Sequence, residues 1–321
     1  MGDLMNQKEK LVIIVPCYNE QESVGILYDE IMKTTAKPLQ DLMIEIVFVD
    51  DGSSDNTLHT IKDLAIKHQN VSYISFSRNF GKEAAIYAGL KNANGDYYAV
   101  MDADLQDPPH LLEKMYEAVK NQGYDCAAAK RASREGEPKI RAFFAKRFYQ
   151  IINAISETEI VDGARDYRLM NRRMVNAVLE LKEYNRFSKG LFSWVGFRVK
   201  WISYENIERV KGSTKWSFGK LFLYAMDGII SFSTMPLKIV SFLGILISLF
   251  SIFGIIFIIV RTIIFGDPVA GWPSLVVIMT FIGGLQLLCL GILGQYLAHV
   301  YMEVKGRPIY LVQEENISNE V

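Results

Sequence analysis

Gly95-Asp96-Tyr97-Tyr98-Ala99-Val100-Met101-Asp102-Ala103-Asp104-Leu105-Gln106-Asp107-Pro108-Pro109 is the stretch whose reading decides the fold. Its apolar run, 97–101, has the length and the β-formers of a buried strand, and it delivers Asp102 and Asp104 at its exit. Two carboxylates at such a rigid end can share a hard divalent cation, whose open positions then suit a diphosphate. Pro108-Pro109 stops the strand and fits the first turn of a following helix. A bare Asp-x-Asp is more often a solvated acidic turn, so the neighbouring stretches must decide between the two.

Working upstream, the aliphatic run 11–15 ends at Pro16, and helical periodicity follows over 22–34 with Val24, Leu27 and Ile31 on one face. Run 44–49 is again strand-like and ends in Asp50-Asp51-Gly52-Ser53-Ser54-Asp55, before a helical pattern over 57–68. A third strand, 71–76, leads into Arg78-Asn79-Phe80-Gly81-Lys82 and an Ala-rich helix over 83–94. Strands alternating with helices of this length predict a parallel α/β sheet, whose ligands gather at the carboxyl ends of its strands. Singly, each polar cluster reads as an ordinary loop. Together they bring carboxylates, a tyrosine ring and two cations to one rim, which is what a nucleotide diphosphate needs. Neither a Walker-type glycine loop nor Gly-x-Gly-x-x-Gly follows the first strand, which argues against an ATPase or a Rossmann dehydrogenase.

Downstream the composition changes. Runs 237–260 and 273–298 carry Lys238 as their one charge, and each exceeds the ~20 residues that span a bilayer core, so both are expected to be transmembrane helices. The connection between them, 261–272, holds the turn residues Gly266-Asp267-Pro268 and is too short for a domain. Lys215, Lys220 and Lys238 flank the entry and Lys305 and Arg307 the exit, against Arg261 in the connection, so both hairpin ends are expected in the cytoplasm. No basic-then-apolar leader precedes residue 11, so the first 200 residues are expected to stay there too. The 35 basic residues balance 36 acidic ones, which gives no support to a nucleic-acid partner. Cys17, Cys126 and Cys289 are isolated and show neither a disulfide framework nor metal-ligand spacing. The expected layout is a catalytic domain over 1–210, a juxtamembrane amphipathic segment over 211–235, a two-helix hairpin over 236–300 and a cytoplasmic tail over 301–321.

In order and spacing the clusters resemble the family 2 glycosyltransferases of GT-A fold. More narrowly they are similar to bacterial polyisoprenyl-phosphate glycosyltransferases related to dolichyl-phosphate mannose synthase. The motifs that carry the resemblance are Val15-Pro16-Cys17-Tyr18-Asn19-Glu20, residues 50–57 reading Asp-Asp-Gly-Ser-Ser-Asp-Asn-Thr, Arg78-Asn79-Phe80-Gly81-Lys82, and residues 101–109. It implies an α/β fold with a Rossmann-like mixed sheet, followed by the interfacial segment and the hairpin. By the same resemblance Pro16, Tyr18, Glu20 and Asp51 hold uridine, Asp102 and Asp104 hold ribose, diphosphate and Mg²⁺ or Mn²⁺, and Arg78 and Lys82 face the sugar-nucleotide side.

The acceptor half is less regular. Residues 139–155 repeat apolar positions at helical spacing among basic ones, which suits either an anionic membrane surface or packing on the sheet. Asp162-Gly163-Ala164-Arg165-Asp166-Tyr167-Arg168-Leu169 resembles the family's Gly-Asp-Phe-Arg-Leu motif, which makes Asp166 the expected catalytic base, with Asp162 and Glu183 as lesser candidates. Arg165 stands where a glycine is usual and Tyr167 where a phenylalanine is. A lipid monophosphate with a second pKa near ~6 is already a competent nucleophile at neutral pH, so cations that gather it should matter more than a base. Arg209 and Lys215, in a basic juxtamembrane cluster, are the candidates. Residues 218–232 are amphipathic enough to lie in the interface, and the processive synthases' Gln-x-x-Arg-Trp is absent, which favours a single sugar transfer. Gly244, Gly254, Gly283 and Gly284 allow close helix packing within the hairpin or in a homo-oligomer.

The sequence therefore predicts a plasma-membrane, multi-pass enzyme with its catalytic domain in the cytoplasm. The reaction that the resemblance implies is inverting, metal-dependent transfer of glucose or N-acetylglucosamine from a UDP-sugar to undecaprenyl phosphate. Transfer to another lipid and a non-catalytic nucleotide-sugar-binding scaffold are the alternatives.

Overall fold

The chain folds as β1 (Lys10–Cys17), α1 (Val24–Thr35), β2 (Met43–Asp50), α2 (Thr57–Lys67), β3 (Val71–Phe76), α3 (Lys82–Asn92), β4 (Tyr97–Val100) and α4 (Leu111–Asn121). It continues as β5 (Cys126–Arg131), β6 (Ala164–Asn171), α5 (Arg172–Glu180), α6 (Ser188–Trp194), β7 (Val199–Tyr204), α7 (Met235–Phe265), α8 (Trp272–Val304) and β8 (Val312–Glu315). This computed structural model describes residues 8–132, 153, 161, 163–205, 233–265 and 271–317. The expected helical segment at 139–155 apart from residue 153, the turn at 266–268 and most of the expected interfacial segment lie outside the described residues.

The strands form one sheet of order β7-β5-β6-β4-β1-β2-β3-β8. Its centre, β4-β1-β2-β3, is parallel, as the alternation of strand and helix predicts. β6 runs antiparallel to both β4 and β5, and β8 antiparallel to β3, which makes the sheet mixed in the GT-A manner. Alternate residues of β1 divide the core. Leu11, Ile13 and Val15 pack with α1 and α4 on one face, and Val12 and Ile14 pack with α3 and α5 on the other. A strand covered on both faces is apolar at nearly every position, which is why run 11–15 reads as continuous rather than alternating.

Helices α7 and α8 have 31 and 33 residues. At 1.5 Å per residue they are about 46 and 50 Å long, more than a ~30 Å hydrocarbon core requires. Phe250, Phe253, Leu287 and Leu297 are among the large apolar side chains they hold outward, a surface suited to lipid rather than water.

Of the tail expected at 301–321, residues 301–317 are part of the fold. Past α8 the chain turns at Gly306, where φ is +59°, and returns to the sheet edge. Ser77 N donates to Leu311 O at 3.0 Å and Asn316 N to Tyr73 O at 3.1 Å. Tyr310 stacks on Phe76 with ring centroids 5.0 Å apart and its hydroxyl accepts Asn92 Nδ2 at 2.9 Å, while Lys62 pairs with Glu314 at 2.6 Å. The polar sequence Val312-Gln313-Glu314-Glu315 carries no strand alternation, so this edge strand exists through long-range pairing alone. It anchors the chain leaving α8 to the same sheet that precedes α7.

Candidate active site

Strand register builds the rim. β1 and β2 align Cys17 with Asp50, and β1 and β4 align Ile14 with Val100. Asp51 N then donates to Cys17 O at 2.9 Å and Met101 N to Ile14 O at 3.0 Å, so the clusters at 16–20, 50–55 and 102–107 leave the sheet side by side. Asn19, at a left-handed φ of 55°, accepts Ser54 N through its side chain at 2.9 Å and donates its own amide to Ser53 Oγ at 3.0 Å. Glu20 N donates to Thr57 Oγ1 at 2.8 Å, Pro16 is half-buried, and the Tyr18 ring is 42% exposed.

Asp51 is buried beneath this rim. Its Oδ1 accepts Phe80 N at 2.7 Å and Gly81 N at 3.1 Å, so it fastens the loop that carries Arg78 and Lys82. Burial pushes the Asp51 carboxyl up to about 6, with Asp50 adding to the rise and the two amides opposing it. Gly52 makes the fit possible. A Cβ there would lie 2.5 Å from the Arg78 carbonyl carbon, and its φ of +64° disfavours any side chain. Arg78 itself is exposed, its guanidinium 4.5 Å above the Phe80 ring.

The antiparallel strand completes the centre. β6 aligns Arg168 with Val100, and continuing that register by two residues sets Asp166 across from Asp102. Lys82, at the start of α3, stands between them, 2.6 Å from Asp102 Oδ1 and 2.5 Å from Asp166 Oδ2. Desolvation acts to lower the Lys82 pKa, but the two carboxylates outweigh it and the net shift is upward. Burial acts to raise Asp166, and Lys82, Lys189 and Arg168 reverse that, holding it below the ordinary carboxylate range. Asp166 is thus an anion locked to a cation.

Next to Lys82, Glu83 accepts Ser188 N at 2.9 Å and also the Ser188 hydroxyl. Burial, helped by the negative Asp166, lifts its carboxyl to about 7 against those hydrogen bonds and Lys82.

Beyond β4, Asp104 Oδ1 accepts Gln106 N at 3.1 Å, and Leu105 is held at a φ of +58°. For a residue with a Cβ that backbone costs about 1–2 kcal/mol, which surrounding contacts must offset. Asp107 supplies them. Buried, it accepts Tyr204 Oη at 2.6 Å and Arg165 Nε at 3.2 Å, while Arg165 also donates to Gln106 Oε1 at 3.2 Å. Arg165, where the resembling family has glycine, therefore pins the acidic loop to β6. Buried Arg168 donates to the Asp166 and Arg165 carbonyls at 3.2 and 3.0 Å and lies 3.9 Å over Phe192, fixing the backbone that presents Asp166.

Among the described residues no three His, Cys, Asp or Glu converge on a metal position. The two carboxylates Asp102 and Asp104 still fit Mg²⁺ or Mn²⁺. Asp102 Oδ1 is an enclosed anionic oxygen with the Lys82 ammonium 2.6 Å away, and such ions bind through one or two carboxylates with phosphates completing the shell. Of the other expected residues, Glu183 is exposed on the 181–187 connection and acts on Arg186, and Asp162, Arg209 and Lys215 lie outside the described residues. The contributions of Glu83, Ser188 and Lys189 carry no signal in the sequence, where they read as ordinary helix residues, and Arg168 is marked there as a member of the motif around Asp166 and not by a role of its own.

The sequence model of glycosyl transferase family 2 matches residues 12–179. CsbB of Bacillus subtilis (strain 168), provisionally named a glycosyltransferase, is 46% identical over 308 residues, 96% of this chain and 92% of that protein. The SfII prophage-derived bactoprenol glucosyl transferase of Shigella flexneri is 39% identical over 314 residues, covering 97% and 99% of the two chains. The glycosyltransferase sll0501 of Synechocystis sp. (strain ATCC 27184 / PCC 6803 / Kazusa), of uncharacterised activity, is 43% identical over 305 residues, 95% of each.

Proposed function

The chain belongs to glycosyl transferase family 2, and on that premise we propose that it transfers a single glucosyl residue from UDP-glucose to undecaprenyl phosphate. The observation that carries the reading is the Lys82–Asp102–Asp166 cluster, set on a rim whose sheet is tied to two helices of bilayer length. Full-length similarity to a protein named bactoprenol glucosyl transferase favours glucose over N-acetylglucosamine and a polyprenyl phosphate over other lipids.

In this reading Tyr18 offers its exposed ring to the uracil, with Pro16, Glu20 and the Asp51-held loop shaping the uridine site. Asp102 and Asp104 hold Mg²⁺ or Mn²⁺, which when bound supplies charge neutralisation to the diphosphate leaving group. Arg78 and Lys82 face the sugar-nucleotide. The acceptor monoester, largely dianionic at neutral pH, attacks the anomeric carbon from the face opposite UDP. The new C–O bond forms as the bond to UDP breaks, and configuration inverts. No proton has to be removed, which suits an Asp166 held ionised: it orients Lys82 rather than acting as a base. Arg209 and Lys215 are proposed to gather the acceptor phosphate.

Both ends of the hairpin lead to one sheet, so α7 and α8 cross the plasma membrane as a pair, with the sheet in the cytoplasm where UDP-sugars are made. An added Cβ at Gly254, Gly283 or Gly284 meets nothing within 4 Å among the described residues. These glycines are thus free to pack between protomers of a homo-oligomer. The product, a polyprenyl-phosphate sugar, would serve surface glycan decoration. The test is to supply membranes holding this chain with undecaprenyl phosphate and a panel of radiolabelled UDP-sugars. UDP-glucose alone should give a labelled, acid-labile lipid. Label that survives as a phosphate-free glycolipid would point to another acceptor.

A further inference from the structure

A continuous set of contacts runs from the membrane hairpin to the cluster, and nothing in the proposed chemistry uses it. On the last turns of α8, His299 and Glu303 lie four residues apart on one face. Glu303 Oε1 accepts Tyr184 N at 2.8 Å, and His299 Nδ1 lies 3.3 Å from Asn185 Nδ2. Immediately after, Arg186 is buried with its guanidinium 4.5 Å over the Tyr87 ring and donates to Leu181 O. Ser188 then begins α6 and gives both its amide and its hydroxyl to Glu83. Glu83 and Tyr87 are one turn apart on α3, so residues 186–188 are fastened to that helix at two points. The residue before Glu83 is Lys82.

A carboxylate at this place is costly, because it is partly enclosed and faces the negative Asp166. An apolar residue would sit there more easily. What the carboxylate adds is charge-assisted acceptance of two donors from one residue, a stiffer joint than a neutral pair makes.

We propose that Glu83 is a positioning residue: by holding 184–188 against α3 it keeps the inner end of α8 in register with the turn that presents Lys82 to Asp102 and Asp166. The inference rests on the transferase reading, because the register matters for a lipid phosphate that arrives along the hairpin and must meet a donor held at the rim. Glu83 need touch neither substrate.

The experiment uses the full chain in nanodiscs with Glu83→Ala, Glu83→Gln and the double variant His299→Ala/Glu303→Ala, whose side chains grip residues 184–185 and not the cluster. Glu83→Ala should lower kcat for undecaprenyl phosphate at least tenfold, with the UDP-glucose KM within twofold. Glu83→Gln, which keeps an acceptor oxygen for both Ser188 donors but not the charge, should show the same kcat-only loss at a smaller size, at least threefold. The α8 double variant should show the same kcat-only loss and add little to Glu83→Ala. Hydrogen exchange supplies a readout independent of turnover: amides 184–191 should exchange at least tenfold faster in Glu83→Ala and in the α8 variant. Unchanged exchange there overturns the inference, as does a loss shared by UDP-glucose binding and kcat, or losses that multiply across the combined variant. If the wild-type chain transfers no sugar while exchange still responds, the transferase reading fails and the tie stands. Should Glu83→Ala not fold, Glu83→Gln and the α8 variant carry the same comparison.

Discussion

Replacing Lys82 with methionine removes the cation from between two carboxylates and keeps most of its stem. The two oxygens it holds can be no more than 5.1 Å apart, the sum of its 2.6 and 2.5 Å contacts. Unit charges ~5 Å apart at an effective dielectric near 20 repel by about 3 kcal/mol. The Asp102 and Asp166 side chains are 22% and 16% exposed, so solvent screens part of this. About half, ~1.5 kcal/mol or roughly one pK unit, should remain. In Lys82→Met that repulsion can be relieved by a proton or by a divalent cation. Mn²⁺ should then bind about tenfold tighter, the equivalent of ~1.4 kcal/mol. Transfer at saturating Mn²⁺ should nevertheless fall at least a hundredfold, because the cation proposed to face the sugar-nucleotide is gone. Electron paramagnetic resonance titration of Mn²⁺ at pH 7 reads the first effect and radiolabel transfer reads the second. Tighter metal with slower turnover is the signature of a counter-ion that also serves the reaction. Unchanged or weaker Mn²⁺ binding would refute the electrostatic reasoning, and unchanged turnover would remove Lys82 from the chemistry.

Gly52→Ala should displace the Arg78–Lys82 loop, because its Cβ would lie 2.5 Å from the Arg78 carbonyl carbon; a UDP-glucose affinity loss of tenfold or more, read by calorimetry, is expected. Asp51, lifted to about 6 in the fold, binds its proton more tightly folded than unfolded. Its contribution to stability is therefore full below about pH 4 and lost as pH rises through about 6, and Asp51→Asn should flatten that part of the unfolding-midpoint profile. Tyr310→Ala removes the ring stacked on Phe76 and should lower stability by about 2–3 kcal/mol, loosening β8 from β3, with thermal unfolding and proteolysis of the tail as readouts.

The rim was legible because each of its first strands is a short apolar run punctuated by Asp, Asn, Gly or Pro, and in a parallel sheet all such ends face one way. Asp102 and Asp104 needed only that local pattern. Asp166 could be located only by resemblance, since its place across from Asp102 depends on the antiparallel pairing of β6 with β4, with 63 residues between Val100 and Ala164. Local spacing holds no information on such a pairing. Glu83 was hidden for a related reason: an acidic residue in a first helical turn is favoured by the helix dipole alone, so nothing marks it as a joint. β8 escaped because an edge strand facing water can be polar throughout. The resemblance gives Asp51 to uridine, and its hydrogen bonds add a second role, fastening the neighbouring loop, visible only once Phe80 and Gly81 are beside it.

Single sugar transfer to a polyprenyl phosphate at the proposed Asp102–Asp104 rim is read by incubating membranes carrying the wild-type chain or Asp104→Ala with undecaprenyl phosphate, UDP-[¹⁴C]glucose and Mn²⁺. One acid-labile labelled lipid from the wild type, reduced at least a thousandfold in Asp104→Ala at equal protein, is the expected result. A wild-type chain that binds UDP-glucose yet labels no undecaprenyl phosphate, or equal labelling by the two chains, would contradict it.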